Sequence, residues 1–446
     1  MNTSLLYSAG EQLMHLTKAA GATDVMVSLS FGIEKSVSVR NGELSHTAHA
    51  QSAHFSLTAL IGAHSGSVEF SSFTSHDVEL AAKRAVALAR VATENPYRRL
   101  STPDEWPCAS HSLSQLDMLL DAYDHTAAPT LAELKERACT LDAIARSEPG
   151  IARSEETSSG YSRVIDVTLM SNGFSALQMR TYHNKWTSVV AEENGEMKTG
   201  SDHHAAFHFE DLRSDAECAR RAGSYAVAQL GAKPIATGRM PVIFDNRISS
   251  SLLGSLVKGI DADHVYHKST FLLEKLGGQI FHEGVIICEE PHLPRRMGSQ
   301  YYDAEGVKST PWTLVSDGVL TMWLTTIESG AKLGLPSTGH ASGTSNLSLR
   351  PSGIARADMI RDIPRGLLVT ELMGKGANIA TGAYSTGVEG FLIENGVITR
   401  PVNKVTIAGN LLDMFGGLIP ANDLSDRPSG SNAPSCFIPS MMVGGT

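Results

Sequence analysis

The chain has 446 residues, a formal net charge of −10, 42% hydrophobic residues and 19% charged residues. This composition supports two or three folded domains and excludes global disorder, because enough apolar area is present to build large cores. Direct nucleic-acid binding is disfavoured, since no block of Lys or Arg supplies the clustered positive charge it needs. No apolar stretch is long enough to span a bilayer, and the N-terminus lacks the features of a signal peptide.

The cysteines are odd in number, widely scattered and without a CxxC pair. They are Cys108, Cys139, Cys218, Cys288 and Cys436. A disulfide framework or a zinc ribbon needs regular, paired spacings, so the pattern favours a reduced, cytoplasmic protein.

The N-terminal part of the chain alternates between helical and strand periodicity. Apolar residues at helical spacing predict a helix over 5–20. Alternating apolar residues predict strands over 25–31 and 55–61, and the Asn41-Gly42 dipeptide between them indicates a tight hairpin. We therefore expect a helix followed by an antiparallel meander.

Capping boxes predict the start of two further helices. Thr74 with Asp77, and Thr130 with Glu133, place a hydroxyl and a carboxylate three residues apart, before an Ala-rich and a mixed helical pattern respectively. In this arrangement the two side chains satisfy backbone N–H groups that have no partner within the helix.

Asn-Gly and Asp-Gly turns recur along the chain. They are Asn41-Gly42, Asn172-Gly173, Asn194-Gly195, Asp317-Gly318 and Asn395-Gly396. Because these dipeptides favour two-residue hairpins, and strands and helices come in blocks, we predict an α+β fold rather than a doubly wound one.

Composition divides the chain into three predicted units. An N-terminal α+β unit covers 1–95, and the irregular, proline-containing stretch 95–112 is a linker. A central α+β unit covers 113–231 and is expected to pack with the first. A glycine-rich, β-rich unit covers 240–446 and carries a helix followed by metal-capable side chains.

That cluster contains Asp261, Asp263, His264 and His267. Two histidines three residues apart on a helix share a face and could bind a transition metal. We favour a solvated helix end, because no third ligand is fixed by spacing, but metal binding stays open.

A second motif lies just upstream. Ser255 and Lys258 form S-x-x-K, which in serine acyl-enzymes puts the lysine one helical turn from the hydroxyl. The partner motifs of such enzymes are missing from this sequence, so a polar helix face is the preferred interpretation.

Other candidate groups are isolated along the chain. Strand alternation would put His204 and His208, next to His203, on one face, where two imidazoles could chelate a metal, although an exposed or hydrogen-bonded strand face is the favoured interpretation. Cys436 could act as a nucleophile if His340 served as its base, although a buried structural thiol is the simpler interpretation. The sequence contains neither HExxH nor HExxxH.

Longer segments carry a family resemblance. These include EGVKSTPWTLVSDGVLTMWL, KLGLPSTGHASG, LLVTELMGKGANIATGAYSTGVEGFLIENGVITRPV, YHKSTFLL and VVAEENG. They resemble the TldD/PmbA family, and within it the PmbA branch, also called TldE. The resemblance covers nearly the whole chain and is strongest from 240 to about 415.

The resemblance implies a cytoplasmic zinc metallopeptidase family that matures or degrades small or unfolded peptides, described earlier as modulators of DNA gyrase. In the TldD branch an HExxxH helix supplies two zinc ligands and a general base, and a later cysteine completes the site. Zinc lowers the pKa of its bound water to near neutrality, and the glutamate takes the proton as that water attacks the carbonyl.

Alignment on LLGSLVKG places the two histidine positions of this motif on Gly254 and Gly259, and the glutamate position on Ser255. The cysteine position falls near Ala433, with Cys436 close but offset. None of these replacements at 254, 255 and 259 ligates zinc strongly or acts as a base, so the resemblance implies a subunit without its own metal site.

Such a subunit is expected to pair with a TldD-like, zinc-bearing partner as a heterodimer, or with itself when that partner is missing. His340, Tyr384 and Glu389 are candidate peptide or interface contacts. As a hypothesis, sheet edges in the glycine-rich 374–396 region could bind an extended peptide by adding a strand. An independent hydrolase and a gyrase-associated binding protein remain alternatives.

Overall fold

A computed structural model describes residues 3–107, 113–374, 376–426 and 429–445 of the chain. The helices are α1 (Thr3–Ala19), α2 (Ser75–Val91), α3 (Leu113–Leu119), α4 (Leu131–Ser147), α5 (Asp215–Ala228), α6 (Ser250–Gly259), α7 (Ala262–Tyr266), α8 (Ile327–Leu333), α9 (Arg356–Arg361) and α10 (Leu411–Gly416), with a 3₁₀ turn at Phe209–Asp211.

The strands are β1 (Asp24–Arg40), β2 (Glu43–Ile61), β3 (His64–Phe70), β4 (Ile151–Met170), β5 (Ser175–Glu193), β6 (Glu196–Ala206), β7 (Gly238–Phe244), β8 (Ile287–Glu289), β9 (Trp312–Ser316), β10 (Val319–Leu320), β11 (Leu347–Leu349), β12 (Arg365–Met373), β13 (Ala383–Glu394), β14 (Val397–Asn410), β15 (Ile419–Pro420), β16 (Ser431–Asn432) and β17 (Cys436–Gly444). The mixture of helix blocks and largely antiparallel sheet confirms the predicted α+β class.

The first two predicted units share one antiparallel sheet of order β3-β2-β1-β4-β5-β6. At the start of β1, the alternate residues Val25, Val27 and Leu29 are fully buried beneath α1 and α2. Helices α4 and α5 cover the same sheet further along β4, β5 and β6. The period-2 pattern of the sequence therefore does mark the side of the sheet that the helices cover.

Local signals correctly predict the starts of α2 and α4 and the turn between β1 and β2. Both capping boxes form: Thr74 accepts from the Asp77 N–H and Thr130 from the Glu133 N–H, each at 3.2 Å. The hairpin residue Asn41 adopts a positive φ of 51°, the left-handed conformation that the Asn-Gly turn requires.

The C-terminal part contains a closed barrel of five strands. Strands β14, β13, β12, β7 and β17 pair in that order, and β17 returns to pair with β14. Only the β7–β12 pair is parallel. Inward-facing Val242, Phe244, Val369 and Val405 contribute to the largest hydrophobic core, which also receives the apolar face of α6. The barrel thus fixes the position of α6, the helix that contains Gly254, Ser255 and Gly259.

A second, smaller sheet of order β10-β9-β8-β11-β16 packs beside the barrel, and much of 260–350 consists of turns. Ion pairs join this C-terminal part to the first sheet. Arg221 on α5 contacts Asp426 at 2.7 and 2.9 Å, and Arg295 contacts Asp121 and Glu210. In the described ranges, no helix is long and apolar enough to cross a membrane.

A half-buried carboxyl lies at this junction. Glu305 Oε2 accepts a 2.8 Å hydrogen bond from the Ile327 N–H at the start of α8. Burial raises the pKa of Glu305 to about 7; the Ile327 hydrogen bond and Arg98 oppose this shift, while Asp303 and Glu328 add to it. The folded chain therefore holds this proton more tightly than the unfolded chain does.

This difference predicts a pH-dependent stability. The stabilising effect of protonated Glu305 is complete below the unfolded value of about 4.5 and is lost as the pH rises through about 7. Glu305→Gln is expected to match the wild type near pH 4.5 and to exceed its free energy of unfolding at pH 8 by about 1–3 kcal/mol. Urea denaturation at both pH values measures this, with exposed Glu193→Gln as control; an equal effect at both pH values would contradict it.

Candidate functional site

The three positions aligned with HExxxH, at 254, 255 and 259, lie on α6, the first helix after the barrel strand β7. Leu252, Leu253 and Leu256 face the main core and are at most 3% exposed. The approach to the helix is tied to the C-terminal segment, because Ser249 Oγ donates to the Ala433 carbonyl at 3.1 Å. The helix and the segment around 433 are therefore neighbours in space.

Gly254, aligned with the first histidine position, lies on the exposed face of α6. A Cβ atom built on it would meet no heavy atom within 4 Å. The position therefore has room for a side chain but offers no ligand.

Ser255, aligned with the general-base position, is buried, and its hydroxyl donates to the Ser251 carbonyl one turn earlier at 3.2 Å. Lys258 is exposed on the same helix. Because the Ser255 hydroxyl hydrogen is directed at the helix backbone, the geometry gives no support to a Ser255–Lys258 acyl-enzyme pair.

Gly259, aligned with the second histidine position, is closed off by its neighbours. A Cβ atom there would lie 2.9 Å from both Leu272 Cδ1 and Phe271 Cε1, closer than ordinary packing allows. The Gly259 carbonyl accepts a 2.6 Å hydrogen bond from Thr270 Oγ1, which fixes the 270–272 segment against the helix. Apolar packing thus occupies the place where an imidazole would start.

The thiol near this helix is unsuited to nucleophilic catalysis and to metal binding. Cys436 is fully buried at the start of β17, and its Sγ donates to the Pro434 carbonyl at 3.3 Å. Burial, and to a smaller extent nearby Asp423, raises the pKa of this thiol far above its usual range. A thiol that stays protonated is neither a nucleophile nor a good metal ligand.

His340 is part of a separate buried network. Its Nε2 lies 2.8 Å from Glu289 Oε2 and its Nδ1 lies 2.7 Å from Thr338 Oγ1. Burial acts to raise the pKa of Glu289, but the hydrogen bonds from His340 and Ser345 outweigh it and hold the pKa below its usual range. Because both ring nitrogens have other partners, the Cys436–His340 dyad is not formed, and burial also removes His340 as a peptide contact.

The acidic and histidine cluster after α6 caps a short helix. Asp261 accepts from the Asp263 N–H at 2.8 Å as the N-cap of α7, and His264 Nδ1 lies 3.1 Å from Ser269 Oγ. His267 is the exposed C-cap residue. Across the described ranges, no group of three or more His, Cys, Asp or Glu side chains is arranged to hold a metal ion.

His204 and His208 do not form the chelating pair that strand alternation left open, and each is hydrogen-bonded to a different partner. Strand β6 ends at Ala206, so strand alternation does not continue to His208. His204 Nδ1 accepts from the Arg213 N–H at 3.3 Å, whereas His208 Nε2 lies 2.9 Å from the Asp121 carbonyl. Burial and the Arg213 charge lower the pKa of His204 to about 4, which keeps it neutral.

The structure gives no support to the hypothesis that a peptide adds a strand in 374–396. Strand β13 pairs with β12 on one side and β14 on the other, because the barrel closes. Tyr384 faces inward, is 4% exposed and lies 6.4 Å from the Phe244 ring centroid, so it is not accessible to a peptide. Glu389 is half-buried, and burial raises its pKa while Lys198 opposes the shift.

The sequence patterns do not indicate the residues that determine how this site is packed. Phe271 and Leu272 fill the second histidine position, and Glu289 holds His340. The segment YHKSTFLL contains both of the filling residues, but nothing in its composition indicates which helix position it covers. Residues 108–112 and 375, including Cys108, lie outside the described part of the chain.

Three family profiles match the chain in order. They are PmbA/TldA metallopeptidase domain 1 over 25–89, the central domain over 124–230 and the C-terminal domain over 237–445. These matches cover most of the chain, which therefore belongs to the PmbA/TldD metallopeptidase family.

Individual relatives agree with this assignment. The chain is 34% identical over 443 residues to Metalloprotease PmbA of Escherichia coli O157:H7, covering 96% of this chain and 94% of that protein. It is 29% identical over 437 residues to a Metalloprotease PmbA homolog of Haemophilus influenzae, covering 96% and 93%.

Solved structures share the whole fold. A proposed modulator of DNA gyrase from Bacteroides thetaiotaomicron superposes with a TM-score of 0.89 at 23% identity, covering 99% of both chains. TldE from Thermococcus kodakarensis superposes with a TM-score of 0.82 at 19% identity, covering 98% of this chain and all of that one. At these identities the likeness concerns the fold alone.

Proposed function

We propose that this chain is the non-catalytic subunit of a two-subunit metallopeptidase that matures or degrades small or unfolded peptides. The main support for this proposal is that the α6 positions aligned with HExxxH hold no zinc ligand. Gly254 has no side chain, the Ser255 hydroxyl bonds to the helix, and Gly259 is packed under Phe271 and Leu272. This donor set does not fit zinc, whose protein ligands are thiolates, imidazoles and carboxylates.

The zinc and the general base would then come from a TldD-like partner, and this chain would supply structure rather than ligands. Burial of Leu252, Leu253 and Leu256 in the main core supports this proposal, because it anchors α6 through apolar packing that needs no metal ligand. A reducing, cytoplasmic setting agrees with Cys139, Cys218, Cys288 and Cys436 being free thiols.

Co-expression with an HExxxH-bearing partner tests the proposal. The isolated chain is expected to purify without stoichiometric zinc and without peptidase activity on an unfolded peptide. The co-purified complex is expected to contain one zinc per heterodimer and to lose its activity on chelation. Chelator-resistant activity of the isolated chain would overturn the proposal.

Matched variants distinguish the proposed function from the alternative of an independent serine hydrolase. Ser255→Ala in this chain is expected to leave the activity of the complex unchanged, whereas changing the partner's motif glutamate to Gln abolishes it. Loss of activity with Ser255→Ala, while the circular dichroism spectrum and complex formation are retained, would favour a serine mechanism. The gyrase-associated alternative predicts co-purification with gyrase instead of the HExxxH partner.

A further inference from the structure

A small pocket lies on the helix-covered side of the first sheet, between α4, the strands β4 and β5, and the segment 209–215. Its volume is about 50 Å³, which is enough for a few water molecules or one small ion. Phe209 is 43% exposed and Arg137 is half-buried, so the pocket lies close to the surface. Its wall includes Arg137, Leu141, Ser159, Lys185, Phe209 and Asp215.

The guanidinium of Arg137 is left without an acceptor. Its neighbour one turn earlier, Glu133, would be the usual ion-pair partner on a helix. The Glu133 carboxylate is instead held by the helix cap, because it accepts from the Thr130 N–H at 2.7 Å and from the Thr130 hydroxyl at 2.8 Å. Arg137 lies over the Phe209 ring, with 3.9 Å between Cζ and the ring centroid, and has no hydrogen bond or ion pair within the described ranges. Its N–H donors are therefore available to a ligand.

Two further donors in the wall come from neighbouring strands. Ser159 is 6% exposed, and its hydroxyl has no hydrogen-bond partner in the part of the chain that the structure describes. It faces Lys185 across the β4–β5 pair. The Lys185 ammonium donates to the Arg213 carbonyl at 2.7 Å and to Asp215 at 2.5 Å, which leaves one of its three N–H groups. Because a buried hydroxyl without a partner is unfavourable, this position indicates a missing acceptor.

The charges in the wall favour an anion. Arg137 and Lys185 each contribute a positive charge and Asp215 a negative one, so the net charge is positive. Asp124, which accepts from the Phe209 N–H at 3.3 Å, does not contribute to the wall. The apolar part of the wall strengthens the attraction, because it lowers the local dielectric constant.

We propose that this pocket binds one phosphate group, with Arg137, Ser159 and Lys185 as its hydrogen-bond donors. The planar fork of an arginine matches two oxygens of a phosphate, and the hydroxyl and the ammonium are left for the others. The three donors lie on a helix and two strands and approach from different sides. This arrangement suits the several oxygens of a tetrahedral anion better than the two coplanar oxygens of a carboxylate.

This inference does not depend on the proposed catalytic role, because binding is measured on the isolated full-length chain. Isothermal titration calorimetry with inorganic phosphate, in chloride buffer of matched ionic strength, is expected to show one saturable site. Arg137→Gln is expected to raise the dissociation constant about tenfold or more, and Ser159→Ala about three- to tenfold, since each removes a hydrogen bond to a charged group. Acetate is expected to bind more weakly than phosphate.

The matched control removes the same charge from the same helix. Lys135 is exposed on α4 and lies outside the pocket, so Lys135→Gln is expected to leave the dissociation constant unchanged. Arg137→Lys keeps the charge but loses the fork, and an intermediate affinity is expected. Circular dichroism and urea denaturation establish that each variant is folded.

A phosphate ester distinguishes the source of the anion. Competition between glycerol 3-phosphate and inorganic phosphate would support a site open to esters, whereas phosphate binding without competition would support a site for the free anion. The inference would be overturned if the wild type showed no saturable phosphate binding, or if acetate bound as tightly. Equal effects of Arg137→Gln and Lys135→Gln would also overturn it, because they would indicate non-specific attraction to the surface charge.

Discussion

Replacing Gly259 by histidine is expected to destabilise the chain by about 2–3 kcal/mol and to create no zinc site. A Cβ atom at this position already lies 2.9 Å from Leu272 and Phe271, so an imidazole forces side chains or the helix to shift. Overpacking a filled core generally costs about 1–3 kcal/mol. Urea denaturation measures the change in the free energy of unfolding.

Gly254→His is the matched control on the same helix. It adds the same side chain where no atom lies within 4 Å, so its effect is expected to stay within about 0.5 kcal/mol. A triple variant restores the two histidines and the glutamate of HExxxH through Gly254→His, Ser255→Glu and Gly259→His. It is expected to bind no stoichiometric zinc. Wild-type stability together with one bound zinc in the triple variant would show that the packing argument is wrong.

A double-mutant cycle tests whether Phe271 is the side chain that makes Gly259→His destabilising. Phe271→Ala removes one of the two side chains that close the position and is destabilising by itself. Combined with Gly259→His, it is expected to cost less than the sum of the two single changes, because the imidazole then occupies the vacated volume. Strict additivity would indicate that Phe271 is not the obstacle.

The second large effect is expected at the buried pair of His340 and Glu289. Their side chains are 4% and 3% exposed, and His340→Ala leaves the Glu289 carboxylate buried without its main partner. Breaking a buried pair in this way generally costs about 3–5 kcal/mol, and we expect a loss of that size in the free energy of unfolding.

Two comparisons make this prediction specific. His267→Ala removes an exposed histidine and is expected to change the stability by no more than about 0.5 kcal/mol. Adding Glu289→Gln to His340→Ala is expected to recover part of the loss, because the uncompensated charge is removed. If His340→Ala were as mild as His267→Ala, the pair would not contribute to the stability of this region.

Local rules of the sequence predicted much of the framework. The capping boxes at Thr74 and Thr130 form because hydroxyl, carboxylate and helix start lie within four residues. The buried face of β1 follows from strict alternation, and the Asn41 turn follows from a residue pair that tolerates positive φ. Each of these signals acts over a few neighbouring residues, so a single sequence is enough to read it.

The absence of ligands at 254, 255 and 259 is likewise determined by the sequence alone, because a missing imidazole cannot be supplied by folding. Only the tertiary structure decided how those positions are used. Closure of the barrel buries Tyr384 and pairs both sides of β13. The 270–272 segment fills the space at Gly259. Glu289 forms a hydrogen bond with His340. These outcomes depend on contacts between residues far apart in the chain, which helical and strand periodicity does not encode.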